Sequence, residues 1–351
     1  MNYDQRMIRI CTSLANEGYG ITLVGRKKRN SLPLENKLYK QKRLYCFFEK
    51  GKLFYIEYNI RLFIYLLFTK ADGICAIDLD TIIPCLWISS LKRIPRIYDA
   101  HELFCEMKEI ASRPKIYKLW KSIEKYAVPK FKKSYTVNHV IAEAFKKLYA
   151  IDVEVIRSIA RLDENKFAQP KDKFILYQGA VNEGRSFETL IPAMKLINSK
   201  LIICGDGNFM QQAKELSRIH QVEDKVIFKG MLSPDKLQEI TSRSYIGITL
   251  FEKGAKSNYY SLANRFFDYI HAGTPQICVD YPLYHELNKK YDIAVLIDDL
   301  KPVSIAAHVN QLLEDESQWK SLHENCKNAT KELCWQNEEK ILIAFYKKIF
   351  G

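Results

Sequence analysis

The segment "SLANRFFDYIHAGTPQICVD", residues 261–280, places an amide, an arginine and a carboxylate just before an apolar stretch. On a helical wheel Asn264, Arg265 and Asp268 share one arc, and the aromatic residues share the opposite one. Gly273 suits the position just past a helix end. Such a stripe is either a ligand-binding face or the solvated side of an ordinary amphipathic helix. This segment alone favours neither interpretation.

Glycines and a second arginine follow two predicted strands in the same half of the chain. In "YQGAVNEGRSFETL", Gly179 ends a strand and Arg185 opens a helix. A helix N-terminus beside a guanidinium is a good cradle for a diphosphate. In "ICGDGNF", Gly205 and Gly207 follow the next strand without completing a dinucleotide fingerprint, so all these glycines could serve turns only. His101 follows a strand end in the first half, where ligand-binding residues gather in parallel α/β folds.

Neither the acidic residues nor the cysteines predict a metal site. Asp78 and Asp80, in "DLD", resemble the metal-binding acid pair of some sugar transferases, but they precede a helix, where Asp80 could serve as the N-cap. The nine cysteines include no C-x-x-C pair, which argues against zinc and disulfides and favours free thiols in a reducing cytoplasm. We therefore expect neither a metal nor a cofactor.

The elements that would position these residues alternate between strand and helix throughout the chain. A length of 351 residues suits two domains of roughly 150 residues each. The alternation predicts an α/β fold of two doubly wound, Rossmann-like parallel-sheet domains that face a cleft and are joined near 160–172. The predicted domains are 1–165 and 166–333, followed by a closing helix in 334–351.

The positive charge is concentrated in the first domain. Residues 1–165 contain 30 Lys and Arg against 18 Asp and Glu, a net charge of +12, whereas the whole chain carries +13. No nucleic-acid motif accompanies the basic clusters, so we expect no nucleic-acid partner. Attraction to an anionic membrane or to an acidic, lipid-linked substrate explains the asymmetry, and so does a merely solvated basic face. The longest apolar run, "LFIYLLF" (62–68), is too short to span a membrane.

Taken in order, the motifs resemble the two-domain GT-B glycosyltransferases, particularly the retaining enzymes of family 4. The resemblance covers nearly the whole chain and rests on order and spacing rather than on one motif. In that fold the last helix crosses back to the first domain, which here implies residues 334–351. The segments that carry the resemblance are "YDQRMIRICTSLANEGYGITLV", "AIDLDTIIPCLW", "RIYDAHELFCE", "ILYQGAVNEGRSFETLI", "LIICGDG", "VIFKGMLSPDKL", "SLANRFFDYIHAGTPQI" and "WQNEEKILIAFYKKI".

The resemblance implies a role for each polar residue singled out above. Arg265 and Arg185 would hold the diphosphate of a nucleotide-sugar, and Asp268 would bind the ribose hydroxyls. Two cations can neutralise a diphosphate leaving group without a metal. His101 would lie near the transferred sugar, so it is predicted to be catalytic together with the two arginines. The predicted donor-binding residues are Gly179, Arg185, Gly205, Gly207, Ser261, Asn264, Arg265 and Asp268.

Two features depart from the family pattern. The family often has two glutamates with seven residues between them, whereas here Asp268 takes the place of the second and Tyr260 the place of the first. Family members also begin with an apolar strand and a glycine-containing loop, whereas this chain begins at the helix that follows them. That strand would be central in the first sheet, so we expect a chain without it to be destabilised.

These observations predict an enzyme that transfers a sugar from a UDP- or GDP-sugar to a cell-envelope glycan or a lipid-linked acceptor, with retention at the anomeric carbon. It would be cytoplasmic, in peripheral contact with the anionic inner face of the plasma membrane through its basic domain. One alternative is an inactive or truncated nucleotide-binding partner subunit of a glycan-assembly complex. A minor alternative is a nucleotide-sugar epimerase, which would need no acceptor.

Overall fold

The computed structural model describes residues 4–29, 31–163, 172–253 and 256–351. The chain divides into two compact units, Met1–Ser158 with Asn337–Gly351 and Ile159–Gln336. Most of the linker predicted at 160–172, namely residues 164–171, lies outside the described residues. All nine cysteines lie within the described ranges, and all are free thiols.

Helices and strands alternate through both units, as the sequence predicts. In chain order the strands are β1 (Thr22–Lys27), β2 (Lys40–Tyr45), β3 (Ile74–Ile77), β4 (Arg96–Ala100), β5 (Lys133–Thr136), β6 (Glu154–Val155), β7 (Ile175–Gln178), β8 (Leu201–Cys204), β9 (Val226–Gly230), β10 (Ile246–Thr249), β11 (Gln276–Val279) and β12 (Ala294–Ile297). The α-helices are α1 (Gln5–Asn16), α2 (Gly51–Phe68), α3 (Ile82–Lys92), α4 (Lys108–Ala111), α5 (Pro114–Ala127), α6 (His139–Tyr149), α7 (Phe187–Ala193), α8 (Met210–Ile219), α9 (Pro234–Arg243), α10 (Lys256–Tyr259), α11 (Asn264–Ala272), α12 (Pro282–Tyr291), α13 (Pro302–Glu314), α14 (Glu316–Ala329) and α15 (Trp335–Phe350).

The first unit contains two parallel sheets. Strands β1 and β2 form one, and β3, β4, β5 and β6 form the other in sequence order. Within the described residues, β1 and β3 each pair with a neighbour on one side only. Both sheets contribute to one core, because Val24 of β1 and Ile74 of β3 pack into the same apolar cluster beneath α2.

Helix α1 begins where the side chain of Asp4 accepts a hydrogen bond from the backbone N–H of Met7 at 3.1 Å. This N-cap satisfies one of the donors that a helix start leaves unpaired. Met7, Ile10 and Leu14 are spaced to lie on one face, and all three are buried. Arg6 is buried as well, so α1 inserts a charge into the first unit.

In its described part, the second unit contains one six-stranded parallel sheet with the strand order β12-β11-β10-β7-β8-β9. The connections run to one side from β7 through β9 and then return to β10 on the other side of β7. In doubly wound sheets, ligands bind outside the carboxyl ends of the strands at such a reversal. The structure confirms the predicted α/β class with parallel sheets, and it puts the reversal of this unit between β7 and β10.

Helix α7 starts at Phe187 rather than at the predicted Arg185, because Ser186 breaks the helical backbone with φ 58° and ψ 28°. A left-handed conformation costs a non-glycine residue about 1 kcal/mol. Ser186 is also buried, and its hydroxyl has no hydrogen-bond partner in the described part of the chain. The position therefore carries both backbone strain and an unsatisfied polar group.

We expect Ser186→Gly to stabilise the protein by about 1 kcal/mol, after part of the gain is offset by the greater entropy of glycine in the unfolded chain. Calorimetry should show the melting temperature rising by roughly 3 °C. Ser186→Ala removes the hydroxyl but keeps the strained backbone, so it should gain less. A glycine variant no more stable than the alanine variant would contradict the assignment of strain.

Candidate active site

Helix α11 carries the polar stripe, and the structure buries one of its three residues. Its aromatic side is buried, as predicted, and Gly273 ends it with φ 64°. Asn264 is exposed and Asp268 half-buried, whereas Arg265 is only 7% exposed. The solvated-face interpretation is therefore wrong for Arg265, because its guanidinium lies inside the second unit.

Arg265 lies at the sheet reversal between β7 and β10. Its Nη1 approaches the Tyr177 hydroxyl at 3.4 Å, and its Nη2 donates to the carbonyl of Leu250 at 3.3 Å. The guanidinium carbon is 4.7 Å from the ring centroid of Tyr177 and 4.4 Å from that of Phe251. Among the described residues, Nε of Arg265 has no hydrogen-bond partner, and no carboxylate forms an ion pair with this side chain. Burying a charge without a counter-charge costs free energy, and a bound anion would compensate that cost. The position of Arg265 is therefore suited to binding an anion.

Arg185 converges on the same place. Its guanidinium carbon is 4.7 Å from the centroid of the Phe251 ring that Arg265 also contacts, and its Nη1 donates to Oδ1 of Asn258 at 3.1 Å. A Cβ added to Gly184 would lie 3.4 Å from the amide nitrogen of Asn258. The structure thus brings the two predicted arginines together beside the turn that follows β7.

The glycines at the carboxyl ends of β7 and β8 have different structural roles. A Cβ on Gly179 would be 3.7 Å from Nη1 of Arg265, so this residue borders the site directly. A Cβ on Gly205 would fall 1.8 Å from the carbonyl oxygen of Gly179, and one on Gly207 would fall 2.3 Å from that of Val181. Gly205 and Gly207 therefore allow the loops after β7 and β8 to approach each other, which is a packing role.

Asp268 lies one turn after Arg265 on α11, and its carboxylate accepts a hydrogen bond from Nε2 of Gln178 at 2.8 Å. The Thr241 hydroxyl donates to the other end of that amide at 2.6 Å, which fixes its orientation. Ser261 donates from its hydroxyl to the carbonyl of Asn258 at 3.1 Å. Asp268 and Ser261 therefore lie in the same unit as the arginine pair.

Sequence reasoning missed several residues that build this site. Gln178 orients Asp268, Asn258 holds Arg185, and the Phe251 ring lies against both guanidinium groups. Gln178 ends β7 and Phe251 lies two residues after β10, so their position was the available signal, whereas Asn258 offered none. Their side chains gave no motif, because an amide and a phenylalanine are common anywhere.

His101 lies in the first unit, just after β4. Its Nε2 is 3.1 Å from Oδ2 of Asp99, and its Nδ1 is 3.4 Å from Oδ2 of Asp78. The backbone N–H of His101 also donates to Asp78 at 2.9 Å. Arg6 pairs with the other oxygen of Asp99 at 2.8 Å. Both ring nitrogens of His101 therefore face carboxylates at the carboxyl ends of β3 and β4.

Burial and charge pairing together set the pKa values of this cluster. Burial by itself would lower the pKa of His101, but Asp99 and Asp78 outweigh it and raise that pKa to about 9. Burial would likewise raise the pKa of Asp99, yet Arg6 and His101 lower it to about 2. Burial raises the pKa of Asp78 to about 6. The histidine is thus an imidazolium at neutral pH, held between carboxylates.

We expect His101→Asn to destabilise the protein in a pH-dependent way. Because the folded pKa lies above the ordinary value of about 6.5, the imidazolium stabilises fully below pH 6.5, and this contribution is lost as pH rises through 9. The gap in melting temperature between wild type and variant should be widest near pH 6 and should close toward pH 10. The surface variant His285→Asn, which breaks an exposed pair with Asp280, should change the melting temperature little. A gap independent of pH would refute the charged pairing.

The acidic pair of "DLD" separates in the structure. Asp78 contacts His101, whereas Asp80 lies inside a short 3-10 turn, Leu79–Thr81, and Thr81 rather than Asp80 holds the N-cap position of α3. The expectation of an Asp80 cap is therefore wrong. In the described ranges no three His, Cys, Asp or Glu side chains are grouped to hold a metal ion. No helix of the described chain has the length and apolar character to cross a membrane.

Known proteins resemble this chain in sequence and in fold. An uncharacterized glycosyltransferase of Methanocaldococcus jannaschii is 26% identical over 187 residues, which cover 51% of this chain and 46% of that protein. The chain thus matches less than half the length of this curated relative. The sucrose-phosphate synthase of Thermosynechococcus elongatus superposes with a TM-score of 0.75 at 16% identity, over 97% of this chain and 92% of that one. Anabaena HepE in complex with UDP and glucose superposes with a TM-score of 0.75 at 12% identity, over 99% and 96%.

At these identities the structural likeness concerns the fold alone, which is the GT-B fold that the sequence resemblance implied. The family evidence comes from the second half of the chain. The profile described as glycosyl transferases group 1 matches residues 158–333, half of the chain, and this stretch includes Arg185, Arg265 and Asp268. The chain therefore belongs to the glycosyl transferases group 1 family.

Proposed function

We propose that this protein transfers a sugar from a UDP- or GDP-sugar to a glycan or lipid-linked acceptor of the cell envelope, retaining the anomeric configuration as family 4 enzymes do. One observation carries the donor side of the proposal. Arg265 is buried at a sheet reversal with no carboxylate partner among the described residues, and Arg185 converges on it. A nucleotide diphosphate supplies the missing negative charge.

In this proposal each group has a defined task. Arg185 and Arg265 take up the charge that develops on the diphosphate as the bond to the sugar breaks, so no metal is required. The carboxylate of Asp268 accepts hydrogen bonds from the ribose diol while Gln178 keeps it oriented. Ser261 and Asn264 border the nucleotide, and His101 donates a hydrogen bond to the transferred sugar.

The structure of Anabaena HepE, which has a similar fold and was solved with UDP and glucose, supports a nucleotide-sugar as the donor. The basic character of residues 1–165 supports a cytoplasmic protein in peripheral contact with the anionic inner face of a plasma membrane. Both points are part of the proposal.

The test begins with thermal shift in EDTA against UDP, GDP, ADP, CMP and their sugar conjugates. A ligand at one hundred times its Kd stabilises by about 2.7 kcal/mol, so one nucleotide should raise the melting temperature by roughly 5 °C or more. Sugar transfer to a panel of defined lipid-linked saccharides then follows, with the product anomer read by NMR coupling constants.

Each outcome separates the functions considered. Binding with transfer and a retained anomer supports the proposal. Binding with neither transfer nor donor hydrolysis supports an inactive partner subunit, and conversion of the donor sugar without an acceptor supports an epimerase. Absence of any nucleotide shift would contradict the donor site itself.

A further inference from the structure

We propose that the outward face of α2 is a docking surface for an anionic phospholipid membrane, with the helix lying in the plane of the interface. The α2 surface is defined by Leu53, Ile56, Ile60, Ile64 and Phe68. The proposal deepens the membrane contact proposed above, yet its test needs no sugar transfer.

Helix α2 has two apolar faces, and only one is covered. Tyr58, Leu62 and Leu66 recur every four residues and are buried in the core of the first unit. The isoleucines of the α2 surface recur with the same spacing but are offset by two positions, which puts them on the opposite side of the helix. They are 50% to 57% exposed, and Phe68 at the helix end is 81% exposed. An exposed apolar helix face of this kind marks a site of contact with a protein or with a membrane.

Neighbouring aromatic residues extend the surface. The backbone N–H groups of Phe47 and Phe48 donate to the carboxylate of Glu57 on α2, at 2.9 and 3.0 Å, which ties their loop to the helix. The Phe47 side chain is 68% exposed. On the other flank the exposed indole of Trp87 lies 6.4 Å from the ring of Phe63, between centroids. Exposed aromatics at the border of an apolar helix suit the headgroup region of a bilayer.

The charges around this surface select an anionic partner. Lys50 and Lys52 are exposed at one end of α2 and Lys70 just beyond the other, and the exposed carboxylates nearby in sequence are Glu49 and Asp72. Residues 1–165 carry a net charge of +12. A second copy of this chain would bring like charges together, whereas anionic headgroups would neutralise them. Lipid is therefore the occupant that the charges favour.

The proposal is tested by flotation of the full chain with two kinds of vesicle. One kind is pure phosphatidylcholine, and the other also contains about 30% phosphatidylglycerol. We expect wild type to float with the anionic vesicles and to dissociate in high salt. The triple variant Ile56→Gln, Ile60→Gln and Ile64→Gln should partition at least about tenfold less, because it keeps helix-forming residues but removes the apolar face. The matched control replaces three exposed apolar residues of the second unit with glutamine, namely Ile219, Met231 and Val303, and should float like wild type.

Three results would overturn the proposal. These are equal flotation of wild type and the α2 triple variant, equal binding to neutral and anionic vesicles, and a wild-type dimer in light scattering that the triple variant loses. The nucleotide-induced thermal shift is measured on the same variants. If it persists while flotation fails, the membrane surface is wrong and the donor site stands.

Discussion

We expect Arg265→Met to abolish the nucleotide-induced thermal shift while leaving the free protein at least as stable as wild type. The two effects have opposite signs because the residue is functional rather than structural. Its guanidinium is buried with an unpaired Nε and no carboxylate partner in the described chain, so replacing it with an apolar side chain relieves an electrostatic cost. The gain should be about 1 kcal/mol, or roughly 3 °C in melting temperature.

The loss on the functional side should be large. Removing one preorganised donor to a developing negative charge typically costs about a hundredfold to a thousandfold in rate. We therefore expect kcat/KM of Arg265→Met to fall by about that factor, with the loss shared between binding and the chemical step. Arg265→Lys retains the charge but not the planar fork, so it should recover only part of the activity.

The matched control for this prediction is Arg243→Met. Arg243 lies in the same unit, half-exposed, with Nη2 2.8 Å from Asp172. Its loss should change neither the nucleotide shift nor the melting temperature by much, since surface pairs contribute little. If Arg265→Met lowers the stability of the free protein and binds nucleotide normally, the arginine is a core residue and the site lies elsewhere.

The local pattern of the chain was sufficient to predict the fold class and the order of the elements. Strands such as Ile175–Gln178 and helices such as Asn264–Ala272 can be recognised from the spacing of their apolar residues and from the glycines that follow them. The division of the first unit into two sheets was harder to predict. Strand pairing joins residues far apart in sequence, and no local signal says whether β1 and β3 are neighbours.

The site shows the same division between local and tertiary information. The residue types of Arg185, Arg265 and Asp268 and their spacing marked them as candidates. The helical wheel nevertheless assigned Arg265 to a polar arc, whereas the structure buries it, because the ends of β7 and β10 lie against that arc. Burial on a polar face depends on the neighbouring strands, which a wheel does not contain. The role of Gln178 was hidden for the same reason.

A second large effect is expected in the first unit, where Arg6→Met should destabilise the protein by about 3–5 kcal/mol. Arg6 donates to the carbonyl of Ile156 at 2.9 Å and to the Asp99 carboxylate at 2.8 Å, and Asp99 is fully buried. Without Arg6, that carboxylate keeps only His101 as a counter-charge. Chemical denaturation at pH 7 should show this loss in the free energy of unfolding. A thermal scan should show a melting temperature lower by roughly 10 °C.

The pairing can be separated from packing by a double-mutant cycle. Asp99→Asn in the Arg6→Met background removes the stranded charge, so the double variant should recover most of the lost stability. Arg218→Met, which breaks an exposed pair with Glu215, should be nearly silent.

Acid supplies an independent check on the same contact. The pKa of Asp99 in the wild type is about 2, below its ordinary value of about 3.9, so the stability it contributes is present above pH 3.9 and is lost as pH falls toward 2. Without Arg6 this lowering of the pKa is largely relieved. The stability curves of wild type and Arg6→Met should therefore converge as the pH falls below 4. Parallel curves down to pH 3 would mean that Arg6 acts through its packing, and that α1 is not held to the sheet by charge.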